Sequence, residues 1–374
     1  MERTVTAQKK KKKRSGSKKF IDYTLLLIIV CILGFGLVML YSTSAYNATL
    51  KYGNSIYYLK KQVIAACMGF AVMYFCIKVD YHFFARFAGI AYLAATILCL
   101  VVNFVGSSSH GSSRWLNIFG VSFQPSELAK IAVILYLAVV ISKRPMAMRT
   151  FQGNVKLLVT ILPIFLVVAY NNLSTAIIIA GIAFIMVFIS SPKTAPFLLG
   201  VLGLAALALV FVFGTYRQER LQIWLHPEDF DKGYQTLQGL YAIGSGGLFG
   251  KGLGESIQKL GFVPEAQNDM IFSIICEELG LFGAICVILM YIMLLWRLLL
   301  IATNAKDMFG SYLVIGIMIH IALQVILNIA VVTNSMPNTG VTLPFISYGG
   351  TSIMFLIAEM GVALSVSKDA HVET

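Results

Sequence analysis

Charged residues are scarce in this chain, and acidic residues are the scarcest. Only 12% of the 374 residues are charged and 58% are hydrophobic, with 17 Asp and Glu against 29 Lys and Arg. No soluble core could bury so much apolar surface, so this composition excludes a soluble globular protein. An ionisable residue at the boundary of an apolar segment is costly there and is therefore a candidate for function.

The sequence also lacks any disulfide-like or metal-like arrangement of cysteines. Its six cysteines all fall within apolar segments, at Cys31, Cys67, Cys76, Cys99, Cys276 and Cys286. Such positions predict packing residues. The glycine-rich run 244–252 has neither the preceding strand nor the Ser or Thr after Lys251 that a nucleotide-binding phosphate loop needs. We therefore expect no organic cofactor.

Apolar segments near twenty residues long occupy most of the chain. A helix needs this length to cross a bilayer, so the sequence predicts an all-α integral membrane protein. The ten predicted transmembrane spans lie at about residues 22–42, 62–78, 84–104, 127–142, 155–170, 175–190, 196–214, 270–296, 311–333 and 344–366. The fifth and sixth spans are separated by four residues and are predicted to form a helical hairpin.

The distribution of basic residues predicts the orientation of these spans. Nineteen Lys and Arg fall on the side of the membrane that holds the amino terminus and nine on the other side, five of them in one long loop. Because short cytoplasmic loops are richer in Lys and Arg, both termini are predicted to be cytoplasmic. The predicted divisions are a basic cytoplasmic tail at 1–20, a transmembrane domain at 21–366 with one long outer loop at about 215–269 between spans seven and eight, and a short cytoplasmic tail at 367–374.

The basic tail directly precedes the first span. This position is typical of an orientation signal that also contacts anionic membrane lipids, so we do not expect nucleic acid as a partner. No small-residue cleavage site follows the first apolar run, and the run is predicted to remain as a membrane anchor.

Polar segments cluster at the outer ends of the predicted spans. They are residues 111–116, 124–127, 171–175, 264–269 and 337–352. The inner loops are short and contain no comparable segment. Since a chance distribution would place such segments on both faces, we predict one working site at the outer face of the membrane. Asp269 belongs to this set and directly precedes the apolar run of the eighth span.

These segments resemble the motifs of one family of membrane proteins. The motifs that carry the resemblance are Gly111-x-x-Arg114-Trp115, Gln124-Pro125-Ser126-Glu127-Leu128-Ala129-Lys130, Gly233-Tyr234-Gln235, Gly252-Leu253-Gly254, Pro264-Glu265-Ala266-x-x-Asp269, Glu277-Glu278-Leu279-Gly280 and Pro344-x-Ile346-Ser347-Tyr348-Gly349-Gly350. With these motifs in this order, the chain from about residue 20 onward is similar to the SEDS family (shape, elongation, division and sporulation proteins). The basic tail, the spacing of residues 234–254 and the run 342–344 resemble the division member more than the elongation or sporulation member.

The resemblance implies a peptidoglycan glycosyltransferase in the bacterial cytoplasmic membrane, at the division septum. Members of this family polymerise lipid II, a disaccharide pentapeptide on undecaprenyl pyrophosphate, at the outer face of the membrane. They work with a class B penicillin-binding protein and other division proteins. An acceptor hydroxyl attacks an anomeric carbon with inversion while the lipid pyrophosphate leaves, and a divalent cation, Mg²⁺ or Mn²⁺, is a candidate cofactor at that pyrophosphate.

Two other functions are alternatives to polymerisation of lipid II. A flippase for lipid II could also have ten spans, but its sequence should then show polar residues that continue to the inner face of the membrane, or inverted repeats. A non-catalytic scaffold that recruits the penicillin-binding protein would explain the membrane bundle but not the cluster of outward motifs.

Within the SEDS motifs, Asp269 is the candidate general base, a role that typically contributes about 10² to 10⁴ in rate. Partial burial would raise the pKa of this carboxyl, whereas the N-terminus of the helix that follows would favour the anion. The structural alternative is that Asp269 caps the eighth span. Glu265 is the second candidate, with orientation of the loop or metal binding as its alternatives.

Further residues of the motifs are candidates for substrate binding. Arg114 offers two donors to phosphate oxygens and Trp115 suits the headgroup interface, although both also fit an anchor that holds the loop on the bilayer. Glu127 and Lys130 lie one turn apart on one helix face, where they either pair for packing or contact substrate. The remaining candidates are Ser347, Tyr348 and Gly349.

Some polar residues fall inside the predicted spans or the long outer loop. His320, Gln324 and Asn328 are spaced by four residues and predict interhelical hydrogen bonds. At least one of the glutamates within spans, namely Glu277, Glu278 and Glu359, is expected to be protonated or paired. Residues 233–243 are predicted to form a short helix on the membrane surface. The glycine-rich run 244–252 is interpreted as a flexible loop that closes over the lipid substrate.

The chain departs from the SEDS pattern in two places. Asn172 and Ser174 stand where most members carry an acidic residue and a Gly, and Thr339 stands where some members carry a Lys. Roles of that acid and that Lys are therefore not transferred to this chain. If a metal depends on the acid elsewhere, a divalent ion here would have to meet the pyrophosphate through Asp269 or Glu265.

Overall fold

The structure, a computed structural model, describes residues 21–105, 107–109, 112–118, 121–192 and 218–370. The predicted basic tail at 1–20, the seventh predicted span at 196–214 and the last residues, 371–374, lie outside the described residues. The other nine predicted spans fall within them.

Long helices follow one another through the described part of the chain. Eight of them are long and apolar enough to cross a membrane, and a further apolar helix, α11, has 17 residues. The helices are α1 (Tyr23–Tyr52), α2 (Tyr57–Lys78), α3 (Tyr81–Val105), α4 (Pro125–Lys143), α5 (Phe151–Asn171), α6 (Leu173–Ser190), α7 (Gln218–Leu225), α8 (Tyr234–Ser245), α9 (Ile271–Thr303), α10 (Met308–Val332) and α11 (Thr351–Ser367). This order confirms the predicted helical membrane fold, the α5–α6 hairpin and a helix at 233–243.

The predicted start of the last span is wrong by seven residues. α11 begins at Thr351 and not at residue 344. Phe345 and Gly350 have φ angles of 64° and 48°, which a right-handed helix cannot contain. Residues 344–350 therefore form irregular backbone at the outer end of α11, and the candidate substrate residues of this motif lie in a turn.

A three-stranded antiparallel sheet lies in the outer connection between α3 and α4. Its strands are β1 (Ser107–Ser109), β2 (Ser112–Ile118) and β3 (Val121–Phe123). The sequence did not predict this sheet, because β1 and β3 have only three residues and β2 lacks the alternation of apolar and polar positions that identifies a strand. β2 carries Arg114 and Trp115.

Among the eight described helices that are long enough to cross a membrane, α4 and α10 are the most enclosed. In the most apolar part of each helix, 72% of the residues are buried in α4 and 56% in α10, against 22% in α3 and 28% in α5. α3 and α5 therefore present most of their surface outward, where lipid surrounds the protein. Because α4 and α10 are enclosed by other helices, residues at their outer ends can line a site inside the bundle.

α9 is interrupted at Gly280, and an outer loop packs against the break. Gly280 has φ 66° and ψ −165°, a conformation that is essentially restricted to glycine. The amides of Leu281 and Phe282 donate to carbonyls of residues 246–263, here called the inserted loop, at 2.9 and 3.0 Å. In return, two amides of the inserted loop donate to the carbonyls just before the break, each at 2.9 Å. The loop thus satisfies backbone groups that the break frees, as the membrane interior requires.

Two buried glutamates of α9 fasten the inserted loop. Glu277 accepts a hydrogen bond from the Lys251 ammonium and Glu278 accepts one from Lys259, each at 2.7 Å. The hydroxyl of Ser42 in α1 also donates to Glu278, at 2.6 Å. These contacts confirm that at least one of the glutamates inside spans is paired. They also hold the glycine-rich segment against α9, whereas the sequence predicted a flexible loop.

Candidate active site at the outer face

Asp269 lies in the turn that leads into α9, and it is only 9% exposed. Gln235 of α8 donates from Nε2 to its Oδ1 at 3.4 Å. Asn328 of α10 donates from Nδ2 to the backbone carbonyls of Asp269 at 2.8 Å and of Val341 at 2.7 Å. The carboxylate is therefore held where α8, α9, α10 and the segment before α11 meet.

The surroundings of Asp269 increase its affinity for a proton. Burial raises the pKa of Asp269 to about 6, and the nearby charge of Glu265 adds to the rise. Hydrogen bonds from the backbone amides of Asp269 and Met270 and from the Gln235 side chain favour the anion and oppose this rise. At neutral pH the group is mostly ionised and still takes up a proton readily, which is what a general base requires.

Asp269 is not the cap of α9. The N-cap position belongs to Met270, and no side-chain hydrogen bond caps the helix. Two other aspartates show what capping looks like in this chain. Asp22 accepts from the amide of Leu25 at the start of α1, and Asp307 accepts from the amide of Gly310 at the start of α10, both at 2.9 Å. The Asp269 carboxylate instead faces Gln235.

Glu265 shapes the turn before Asp269. Its φ of 51° lies in the left-handed region, which is uncommon for a residue with a side chain. Asn268 closes the turn, since its side chain donates to the Glu265 carboxylate at 2.9 Å and its amide donates to the Glu265 carbonyl at 2.8 Å. This geometry matches the loop-orienting alternative, while the charge of Glu265 also acts on Asp269.

The segment before α11 contributes residues to the same site. Asn338 donates from Nδ2 to Oε1 of Gln235 at 3.4 Å, so Gln235 joins Asn338 to Asp269. Gly340 has a φ of 68°, and a Cβ at this position would lie 3.9 Å from Oδ2 of Asp269. A side chain at this position would lie against the carboxylate, and glycine leaves this side of it without a side-chain neighbour from residue 340.

The two places where the chain departs from the SEDS pattern are in contact. The Ser174 hydroxyl at the start of α6 donates to the carbonyl of Thr339 at 2.5 Å. Asn172 accepts from the amide of Thr175 at 3.2 Å and caps α6. An uncharged contact thus joins α6 to the segment that faces Asp269.

The turn at 347–350 lies against the segment that carries Asp269. The Tyr348 amide donates to the carbonyl of Gln267 at 2.9 Å. Gln62 of α2 fixes the turn on its other side, because it donates to the Ser347 carbonyl at 3.0 Å and accepts from the Gly349 amide at 3.3 Å. The Ser347 hydroxyl is occupied within the turn, where it accepts a backbone amide at 2.9 Å. Of the three candidate residues in this turn, only Tyr348 has a side chain that is long enough to contact a substrate.

Glu127 and Lys130 form a buried ion pair at the outer end of α4. Their N–O distance is 2.9 Å, and the side chains are 8% and 1% exposed. The Ser352 hydroxyl of α11 donates to the Glu127 carboxylate at 2.7 Å. The pair therefore joins α4 to α11, as the packing alternative predicts. Contact of Glu127 and Lys130 with substrate stays a prediction.

Replacing Glu127 with Gln is expected to destabilise the protein, because Lys130 would remain buried without its charge partner. Removing one member of a buried pair typically costs about 3–5 kcal/mol. The melting temperature of the purified protein in detergent should fall clearly, and the double variant Glu127→Gln, Lys130→Met should recover most of the loss. Equal melting temperatures for the single variant and the wild type would contradict the buried pair.

Arg114 and Trp115 lie on β2, at the outer face. Trp115 pairs in register with Ser107 and is partly buried. The side chain of Arg114 is outside the described residues, so its contact with pyrophosphate stays a prediction.

Residues that sequence reasoning missed supply most of the contacts to Asp269. Gln235 and Asn338 lie in segments that the motifs marked, but neither was proposed for the site. Asn328 was predicted to bond between helices, but its partners, the carbonyls of Asp269 and Val341, lie in segments outside the helices. Its neighbour on the same stripe, His320, pairs with Glu359 at 2.9 Å inside the bundle.

The fold and the site define a polytopic helical membrane protein in which the polar motifs at 171–175, 264–269 and 337–352 meet near a buried carboxylate. The model of the cell cycle protein family that includes FtsW, RodA and SpoVE matches residues 23–372. The chain therefore belongs to this family, which is the SEDS family that the motifs resemble.

Relatives from several branches of the family are similar to the chain over nearly its full length. Stage V sporulation protein E of Bacillus subtilis is 37% identical and covers 93% of this chain and 97% of its own. A probable peptidoglycan glycosyltransferase FtsW of a Geobacter species is 36% identical and covers 92% of this chain and 96% of its own. These near-equal identities do not separate the division branch from the sporulation branch.

Solved structures share the fold. A chain from a peptidoglycan synthase complex that coordinates polymerization and crosslinking superposes with a TM-score of 0.81, at 26% identity, over 94% of this chain and 99% of that chain. The rod shape determining protein RodA of Thermus thermophilus superposes with a TM-score of 0.71, at 25% identity, over 94% of this chain and 98% of its own.

Proposed function

We propose that the chain is a peptidoglycan glycosyltransferase that polymerises lipid II at the outer face of the bacterial cytoplasmic membrane, with Asp269 as general base. The observation that carries the proposal is the buried Asp269 carboxylate, whose pKa lies near 6, at the outer start of a membrane helix. Membership of the family and relatives named peptidoglycan glycosyltransferase support the reaction class.

The chemistry is a displacement at a sugar carbon. The acceptor hydroxyl oxygen forms a bond to the anomeric carbon of the donor while the bond from that carbon to the pyrophosphate oxygen breaks. The pyrophosphate leaves with the electron pair, and the hydroxyl proton passes to Asp269. Gln235 holds one carboxylate oxygen, and Gly340 leaves room beside the other. Attack from the face opposite the leaving group inverts the anomeric carbon.

The leaving pyrophosphate needs positive charge. Arg114 on β2 is the proposed protein partner, with Trp115, Glu127 and Lys130 near the same outer connection. The carboxylates of Asp269 and Glu265 fit a divalent cation, since Mg²⁺ is commonly held by one or two carboxylates together with substrate phosphates. When bound, the cation would neutralise charge on the departing pyrophosphate.

The proposed setting is the division septum, with a class B penicillin-binding protein and other division proteins as partners. The solved synthase complex, in which polymerization and crosslinking are coordinated, supports a partner of this kind. The direct experiment is reconstitution of the chain with its synthase partner in liposomes supplied with labelled lipid II. Glycan polymer is the expected product, and movement of monomer across the bilayer without polymer would favour the flippase.

Polymerisation is expected to fall as the pH decreases through about 6, because protonation removes the base form of Asp269. Replacing Gln235 with Leu removes a hydrogen bond that favours the anion, so the acidic limb of the rate profile should move to higher pH. Initial rates of polymer formation across acid to neutral pH measure both effects.

The matched control for Gln235 is Gln222→Leu, which alters an exposed glutamine in α7 and should leave the profile in place. If Gln235→Leu gives the same acidic limb as the wild type, then Asp269 does not control the profile through this contact.

A further inference from the structure

The outer connection between α1 and α2 carries more positive charge than its length explains. Lys51, Lys60 and Lys61 are exposed around this connection, which runs only from Tyr52 to Tyr57. Short outer loops normally contain few Lys and Arg, since positive charge favours the cytoplasmic side. Three lysines here oppose the predicted orientation and require a separate reason.

Tyrosines surround these lysines. The rings of Tyr52 and Tyr57 stack with centroids 3.8 Å apart. Tyr58 meets the Tyr57 ring edge-on at 5.5 Å and the Tyr348 ring edge-on at 5.0 Å. We call these four residues the tyrosine cluster. Each ring ends in a hydroxyl that can donate a hydrogen bond.

Lys61 is positioned by this cluster. Its Nζ lies 4.5 Å from the centroid of the Tyr57 ring, a cation–π distance. The ion pairs found among the described residues involve none of the three lysines. Burial raises the pKa of Tyr348, and the ammonium of Lys61 is near enough to oppose that rise. Within the described part of the chain, a positive charge without a carboxylate partner therefore lies beside several hydroxyl groups.

The tyrosine cluster is continuous with the candidate active site. Its member Tyr348 donates through its amide to the carbonyl of Gln267, two residues before Asp269. Gln62, one residue after Lys61, is buried and bonded to both sides of the turn that carries Tyr348. Directly after this turn, the hydroxyl of Ser352 in α11 donates a hydrogen bond to Glu127 of α4. The cluster and the strand that carries Arg114 belong to different outer connections, the first between α1 and α2 and the second between α3 and α4.

We propose that Lys61 and the tyrosine cluster form a second pyrophosphate site, which binds the headgroup of a lipid-linked sugar. An ammonium with neighbouring hydroxyl donors matches phosphate oxygens.

The inference rests on the proposed function. Polymerisation of lipid II joins two molecules that each carry a lipid pyrophosphate, so two headgroups must lie at the membrane surface at once. Arg114 is proposed for one of them, and Lys61 takes the other. The site lies at the end of a membrane helix, at the level where a lipid headgroup would sit.

Binding of undecaprenyl pyrophosphate to the full chain in nanodiscs of neutral lipid tests the site without requiring turnover. Native mass spectrometry should count one ligand fewer on Lys61→Met than on the wild type at the same concentration. The affinity of that site should fall by about tenfold, which corresponds to loss of one charge-assisted contact. Lys61→Arg should retain the ligand because it keeps the charge.

The chain offers a matched control at the other end of the same helix. Lys78 lies 5.3 Å over the ring of Tyr74, and Lys78→Met should leave the ligand count unchanged. Equal counts for Lys61→Met and the wild type would overturn the proposal. The same measurement is repeated with phosphatidylglycerol as the ligand. If Lys61→Met loses phosphatidylglycerol as strongly as it loses undecaprenyl pyrophosphate, the site binds bulk anionic lipid and the proposal is overturned. Adding Lys61→Met to the Asp269→Asn variant should lower its count of undecaprenyl pyrophosphate by one as well, so failure of this site and failure of the proposed catalysis give different results.

Discussion

Asp269→Asn is expected to lower the rate of glycan polymerisation by about 10² to 10⁴, the usual contribution of a positioned general base. The amide has the same shape as the carboxylate and still accepts a hydrogen bond from Gln235, so the turn before α9 should persist. It cannot take the proton of the acceptor hydroxyl. Labelled lipid II, supplied to the variant with its synthase partner in liposomes, measures the loss as missing polymer.

Two controls make the result specific. Asp229→Asn changes an exposed aspartate of the same outer loop and should keep the wild-type rate. Glu265→Gln should lose less than Asp269→Asn, because Glu265 shapes the turn and acts on Asp269 only through its charge. Full activity of a folded Asp269→Asn variant would overturn the assignment, and a larger loss in Glu265→Gln would transfer the role of base to Glu265.

Gly280→Ala is expected to cause a large loss of folded protein. The backbone at Gly280 has φ 66° and ψ −165°, which a residue with a Cβ adopts only at a cost of about 1–3 kcal/mol. An added Cβ would also lie 2.6 Å from the carbonyl oxygen of Leu248 and against the amide of Gly250 in the inserted loop. The loop would have to leave the break, and Glu277 and Glu278 would lose their lysine partners.

Size-exclusion chromatography and thermal melting of the detergent-solubilised protein measure this effect. Gly244→Ala in α8 is the control, since an added Cβ there has no neighbour within 4 Å and the position is helical. Alanine stabilises such a position by about 0.5–1 kcal/mol. A Gly280→Ala protein that melts like the Gly244→Ala protein would show that the inserted loop does not depend on the break.

The membrane fold could be predicted from the sequence because its signal is local. A run of apolar residues of bilayer length identifies a span whatever the rest of the chain does. The break in α9 escaped this reasoning, since Gly280 lies in an otherwise apolar run and glycine is common in membrane helices. Lys251 and Lys259 then meet glutamates 26 and 19 residues away, a pairing that only the packed loop reveals.

The candidate site shows the same division. Asp269 stood out from the sequence because a carboxylate beside an apolar run is rare, and the family motif then suggested its role. Its contacts did not stand out, because Gln235 and Asn328 lie 34 and 59 residues from it along the chain. Hydrogen bonds over such separations depend on how the helices pack. The spacing of Asn and Gln residues along the sequence does not identify which of them will form these bonds.

The contact between Ser174 and Thr339 has a consequence for experiments in salt. It joins α6 to the segment facing Asp269 through a neutral hydroxyl and a backbone carbonyl, so ionic strength does not weaken it. Dissolved ions act instead on exposed charges, and the substrate headgroup is doubly phosphorylated. The slope of substrate affinity against salt concentration therefore reports the number of cationic side chains that meet the headgroup, without a contribution from the contact between Ser174 and Thr339.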